Sequence, residues 1–136
     1  MRLSVFDTNV IVSAGLKPGS TPAELVDRLL KGQVQLVTCP AVIAEYNEVA
    51  SRSKFARYEF PPEWLEQLIE MSLQLPDPAA WPLELPDAAD SVFLSLAHAY
   101  GGWLVTGNLK HFPKSARRGV TVISPVEYLA DLEKEK

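Results

Sequence analysis

Three acidic residues, Asp7, Glu45 and Asp90, stand where a carboxylate is costly unless something uses it. Asp7 ends the apolar run Leu3-Ser4-Val5-Phe6 and is followed by Thr8 and Asn9. A short apolar run of this kind reads as a buried strand. In an open α/β sheet, such a strand delivers whatever follows it to the carboxyl edge, where ligands bind. Glu45 lies three residues after Val42 and four before Val49. Those spacings share one helix face, so Glu45 sits within or beside an apolar stripe. Asp90 is placed alike, with Phe93, Leu94 and Ala97 following at i+3, i+4 and i+7. An unpaired carboxylate facing a core is strongly unfavourable or takes up a proton. One divalent cation shared by the three acids would remove that problem, and hard oxygen donors suit Mg²⁺ or Mn²⁺.

Each acid also has a structural reading. Asp7 could cap the helix that follows it. Glu45 could pair with an arginine or lean to solvent. Asp90 stands in a first helical turn, where negative charge favours the macrodipole. Asp87 is expected to be the N-cap of that helix rather than a metal ligand. Thr8 and Asn9 could orient Asp7 or metal waters, and Thr8 could equally be a helix cap. What sets the three acids apart is their joint placement: three helix or strand ends must each carry an inward acid.

The elements that must position them alternate strand and helix, which favours a parallel sheet with helices on both faces. Thr21-Pro22-Ala23-Glu24 reads as a capping box with proline at the first helical position, and that helix stops near Gly32. Val34 to Thr38 reads as a second strand, and Pro40 opens a helix carrying Val42, Ile43, Tyr46 and Val49. Residues 52–62 begin as a polar basic tract and end in a proline pair. A further helix is expected from Trp64 through Leu68 and Met71 to Leu75. Residues 76–86 hold four prolines and read as irregular chain. Asp87 starts a helix that Gly101-Gly102 ends. Trp103 to Thr106 and Val120 to Ile123 read as strands, and Ser124-Pro125-Val126-Glu127 is a second capping box before a last helix.

At 136 residues the chain is expected to form a single domain, 1–136, able to bury a core without disulfides. Hydrophobic residues make up 47% and charged residues 22%, which fits a soluble globular protein. One cysteine, Cys39, can form neither an internal bridge nor a zinc pattern. No secretory signal and no membrane-spanning run is visible, so a cytoplasmic protein without membrane contact is expected. The net charge of −4 argues against a protein coated in base for nucleic acid, though not against a local basic patch. No Gly-rich phosphate loop of Walker type appears, which argues against an NTPase.

Taken in order, these segments resemble the PIN-domain family, in particular the VapC-like toxins of toxin–antitoxin pairs. The matching residues are Val5-Phe6-Asp7-Thr8-Asn9, Glu45 in Pro40-Ala41-Val42-Ile43-Ala44-Glu45, Asp87-Ala-Ala-Asp90-Ser-Val-Phe93-Leu94-Ser-Leu-Ala97, and Leu104-Val105-Thr106-Gly107-Asn108. The resemblance implies a three-layer α/β/α fold with a parallel sheet of about five strands. It also implies a Mg²⁺- or Mn²⁺-dependent ribonuclease whose acids fall on Asp7, Glu45 and Asp90, and whose in-line hydrolysis leaves a 5′-phosphate. One departure stands out. Many relatives carry Asp where this chain has Asn108, which keeps an oxygen acceptor but loses the charge. A second metal is thereby put in question, and Asn108 could hold a metal water or only shape its turn.

Two basic segments could meet RNA. Arg52, Lys54 and Arg57 are interleaved with Phe55 and Tyr58, and Lys110, His111, Lys114, Arg117 and Arg118 follow Asn108. Phosphate contacts need cations, and single-stranded bases stack on aromatic rings. Arg52, Lys54, Arg57, Lys110 and Lys114 are therefore candidate RNA contacts, with a solvated surface as the alternative. Aromatics at 55, 58 and 60 could equally pack against an antitoxin or a second subunit. His98 reads as structural within its helix, and His111 as a loop residue that is either solvated or near phosphate. The favoured reading is a metal-dependent endoribonuclease acting as a toxin. The alternatives are a weak or inactive RNA-binding module and a phosphatase using Asp7 as nucleophile. That last class usually needs a second acid at position 9, where this chain has Asn.

Overall fold

The apolar run at the start forms the expected strand: β1 spans Leu3–Phe6 in the computed structural model, which describes residues 2–55, 58 and 60–134. Helices α1 (Thr8–Leu16) and α2 (Thr21–Leu30) lead to β2 (Gln35–Thr38). Next come α3 (Pro40–Ala50), α4 (Trp64–Met71) and the two-residue strand β3 (Leu73–Gln74). An irregular stretch precedes α5 (Ser91–Tyr100), which leads to β4 (Trp103–Val105), β5 (Val122–Ile123) and α6 (Pro125–Lys134). All strand pairs are parallel, in the order β3-β2-β1-β4-β5. This is the α/β/α arrangement that the strand–helix alternation predicts, with helices flanking the sheet. Among the described residues, no helix is long and apolar enough to cross a membrane.

The strand order matters for function. The chain steps outward from β1 to β2 to β3, then returns to the far side of β1 for β4 and β5. The winding therefore reverses between β1 and β4. Ligand crevices in open α/β sheets lie outside the carboxyl ends at such a switch point. Phe6 is in register with Val105, so Asp7 and Thr106 are the first residues past the sheet on adjacent strands. Both strands are buried throughout this end: Val5, Phe6, Leu104 and Val105 are wholly inaccessible.

Several local expectations need correction. The helix α2 is capped by Ser20, whose Oγ accepts from the Ala23 amide, and not by Thr21, which is already helical. Ser20 precedes the proline-bearing turn by one residue more and so holds the extended backbone an N-cap requires. Thr8 is likewise inside α1 rather than capping it. Residues 72–75 do not continue α4. Ser72 breaks the helix by turning its hydroxyl onto the Ile69 carbonyl and meeting Thr38 Oγ1, and Leu73–Gln74 pair with β2 instead. Helix α5 begins at Ser91, after a 3₁₀ turn over Ala88–Asp90. As expected, Asp87 caps that turn, accepting from the Ala89 amide at 3.0 Å, and Gly101 ends α5 in the left-handed region at φ 71°. His98 is exposed in the last turn of α5, its ring T-shaped to that of Trp81 with centroids 5.4 Å apart.

Helix α3 is fixed at both ends of its job. Its N-cap, Cys39, offers no side-chain bond, but Asp77 reaches in from the irregular stretch and accepts from the Ala41 amide at 2.9 Å. Further along, the buried hydroxyl of Tyr46 donates to the Phe6 carbonyl, the last carbonyl of β1. That bond ties the helix carrying Glu45 to the strand carrying Asp7. Tyr46→Phe keeps the ring but leaves a buried carbonyl short of a partner. We expect a loss of about 1–2 kcal/mol in urea unfolding with the fold retained. An unchanged midpoint would show that the tie is energetically idle.

Candidate active site

Asp7 leaves β1 at the switch point and is 5% exposed. Its backbone occupies the N-cap position of α1, yet its side chain makes no capping bond. The reason is Thr106, the residue just past β4. Its fully buried hydroxyl donates to Asp7 Oδ2 at 2.8 Å, and the amide of Asn9 donates to the same oxygen at 3.3 Å. Asn9 also accepts from the Gly107 amide at 3.2 Å, so it bridges the start of α1 and the loop after β4. Burial is the largest influence on Asp7, opposed by the Thr106 bond and reinforced by the charge of Asp90; together they raise its pKa from 3.8 to about 6.

Glu45 comes from α3 and is half-buried; Thr8 donates its hydroxyl to Glu45 Oε2. Thr8 thus serves the second acid rather than Asp7 or a cap. Burial lifts the Glu45 pKa, the Thr8 bond opposes this, and the charges of Asp7 and Asp87 add to the rise. Asp90, 9% exposed, comes from the 3₁₀ turn before α5, and its Oδ2 lies 2.9 Å from His111 Nδ1. Burial raises its pKa too, His111 lowers it, and Asp87 and Glu45 raise it. Each of the three acids therefore feels the charge of another. Among the described residues, no lysine or arginine forms a salt bridge with any of them.

The three acids line one cleft of about 410 Å³, with Thr8, Asn9, Asp87, Asn108 and His111 around them and Arg52, Lys54 and Phe55 on its rim. The donor set fits a hard divalent cation in kind: oxygen donors, two of them buried, lifted in pKa and, among the described residues, without a salt bridge to lysine or arginine. As the side chains lie, each acid is held by its own neutral or imidazole donor. Among the described residues no three acidic, histidine or cysteine side chains are placed to hold one metal ion.

Of the sequence candidates, Arg52 and Lys54 reach the cleft, Arg52 paired to Glu48 at 2.9 Å and Lys54 over the Phe55 ring at 5.1 Å. Lys110 and Lys114 are exposed on the turns beyond Asn108 and do not line it. Arg57 lies outside the described residues. Asn108 lines the cleft; its amide N–H donates to Thr106 Oγ1 at 3.0 Å, and its side chain makes no capping bond. Of the aromatics, Phe55 and Phe60 pack on each other at 4.9 Å, which leaves only Tyr58 of the three exposed. Thr106 is the site residue that sequence reasoning passed over. Its signal was a polar residue closing an otherwise apolar strand, the same signal that marked Asp7.

The PIN domain family model matches residues 4–110, a span that begins in β1 and ends just past Asn108. Among solved structures, PAE2754 from Pyrobaculum aerophilum superposes with a TM-score of 0.62 at 16% identity, covering 98% of this chain and 90% of that one. VapBC2 from Rickettsia felis, solved bound to a DNA fragment from its promoter, gives 0.60 at 18% identity over 90% of this chain and 98% of that one. FitAcB from Neisseria gonorrhoeae gives 0.57 at 19%, again over 90% and 98%. At such identities these structures share the fold. No curated protein sequence matches the chain significantly. With the family match running through every strand and helix that supplies an acid, this chain belongs to the PIN domain family.

Proposed function

We propose that this chain is a metal-dependent endoribonuclease, the toxin of a toxin–antitoxin pair, with Asp7, Glu45 and Asp90 as the groups that would hold Mg²⁺ or Mn²⁺. The observation that carries this reading is the convergence of three acids from three separate elements on one cleft, none of them salt-bridged to a lysine or arginine among the described residues. PIN domains are generally nucleases that use divalent metals, and the folds of VapBC2 and FitAcB support the toxin reading. The chemistry such an ion supplies when bound is charge neutralisation at the phosphate and acidification of water.

The chain's own residues do the rest. Thr106 and Asn9 hold Asp7 in one orientation through a shared oxygen. Thr8 does the same for Glu45. Arg52 and Lys54 on the rim supply positive charge for the RNA backbone, and Asn108 presents an uncharged amide where a fourth acid would repel it. Asn9 spends its amide on Asp7 and Gly107, which makes it a positioning group rather than the second acid of a phosphatase.

Incubation with single-stranded RNA tests this. With Mg²⁺ or Mn²⁺ the protein should release fragments bearing 5′-phosphates, and EDTA or Glu45→Gln should stop the release. RNA that is bound but never cut in either metal would replace this reading with that of a non-catalytic RNA-binding module. Growth arrest on expression, relieved by co-expression of a small neighbouring gene, is the expected mark of the toxin role.

A further inference from the structure

His111 has a defined partner that its place in the sequence does not announce. Its Nδ1 lies 2.9 Å from Asp90 Oδ2, although the two residues are 21 positions apart. An ionised carboxylate can only accept, so with Asp90 ionised the hydrogen resides on Nδ1 and the ring donates it to Asp90. The donor stands on firm backbone. His111 closes the 3₁₀ turn Leu109–His111, its amide donating to the Asn108 carbonyl at 3.0 Å. The next residue, Phe112, is wholly buried, and its carbonyl accepts from Arg117 Nε at 2.7 Å. The acceptor is equally fixed, because Asp90 sits in the turn that Asp87 caps. Both residues line the cleft.

Asp90 is thereby treated differently from its two companions. Asp7 and Glu45 are oriented by threonine hydroxyls, whose hydrogens rotate freely. Asp90 is oriented by a planar ring with one defined donor direction. One carboxylate oxygen is taken, and no bond to the other is formed among the described residues.

We propose that His111 is a positioning residue for Asp90: its Nδ1–H fixes the carboxylate so that the second oxygen is kept for the divalent cation. The metal half of this inference rests on the nuclease reading above; the hydrogen bond does not. Partners of this kind around a ligating carboxylate typically contribute 10–100-fold to metal affinity. An aspartate freed of its donor would spread over several rotamers, only some of which face the ion.

Two measurements test it. In the metal-free protein, long-range ¹H–¹⁵N correlation of the His111 ring should show the Nδ1–H tautomer, and Asp90→Ala should release it to the commoner Nε2–H form. Mn²⁺ titration followed by electron paramagnetic resonance should give about 10–100-fold weaker binding in His111→Ala. His111→Asn places an amide nitrogen near the Nδ1 position and should recover most of that loss. Unchanged Mn²⁺ affinity in His111→Ala overturns the proposal while leaving the nuclease reading intact. So does an asparagine variant as weak as the alanine one when both melt like wild type. Absence of Mn²⁺ binding by the wild-type protein overturns the nuclease reading and the metal half together; the tautomer then reports the hydrogen bond alone.

Discussion

Asp7→Asn should abolish RNA cleavage and, in the absence of metal, make the protein more stable above pH 6. The two effects share one cause. Asp7 is almost fully buried and carries its charge beside Asp90 and Glu45 with no neutralising cation. Its pKa is raised from 3.8 to about 6, chiefly by burial. A carboxyl whose folded pKa exceeds its unfolded one holds its proton more tightly when folded. Its contribution to stability is therefore full below about pH 4 and is lost as pH rises through 6. Above that, holding the ionised group costs roughly 3 kcal/mol. Asparagine keeps an acceptor for the Thr106 hydroxyl and has no charge to desolvate. Its extra N–H₂ lacks an obvious acceptor and returns part of the gain. A net stabilisation of about 1–2 kcal/mol at pH 8, or about 3–8 °C in melting temperature, is expected, changing sign near pH 5 and becoming a net loss at pH 4, where only the unpaired amide remains. Catalysis should fall at least ~10³-fold, about 4 kcal/mol of transition-state stabilisation, because the first acid at the switch point is lost. A variant that melts below wild type at pH 8 would mean that the Asp7 carboxylate is structurally satisfied and not held in reserve. A variant that still cuts RNA would remove Asp7 from the chemistry.

The frame of this site was legible because its signals are local. A four-residue apolar run ending in Asp, an acid on an apolar helix face, and a Gly pair after a helix are each written in consecutive residues. What was not legible depends on partners distant in sequence. Nothing near Asp7 says that Thr106, 99 residues later, will draw its side chain away from capping α1. Nothing near His111 points to Asp90. Strand β3 has only two residues, both exposed, and exists because β2 offers an open edge; its own sequence reads as the tail of a helix. The pairings of the basic segments were hidden for a related reason. Composition cannot show that Arg117 is committed to the Phe112 carbonyl, that Arg52 is paired with Glu48, or that Arg118 stacks over Trp81. Local sequence placed the acids at the correct edge; tertiary hydrogen bonds decide which way each one turns.

Those bonds also set how metal binding should depend on pH, the second large effect. Without metal, stability should fall as pH rises from about 4 through 6, because Asp7 titrates near 6 in the folded chain and burial raises Glu45 and Asp90 in the same direction. A divalent cation requires these groups ionised, so protons compete with it and its affinity grows over the same interval. A ligand present at 100 times its Kd adds about 2.7 kcal/mol to folding. For a chain of this length that corresponds to roughly 6–10 °C. Thermal melts at a Mn²⁺ concentration 100 times the Kd at pH 8 should therefore show a shift of that size at pH 8 and a clearly smaller one at pH 5. The falling stability curve of the metal-free protein should flatten or reverse. Asp7→Asn should lose most of the Mn²⁺ shift while keeping its own gain in metal-free stability, since one substitution removes both the ligand and the buried charge. Equal Mn²⁺ shifts at pH 5 and pH 8 would mean that the ion binds elsewhere, on carboxylates of ordinary pKa. A shift that survives in Asp7→Asn would lead to the same conclusion. The cleft would then be a crowd of acids stabilised by threonine and histidine donors alone, and its high proton affinity a property of the fold rather than of a reaction.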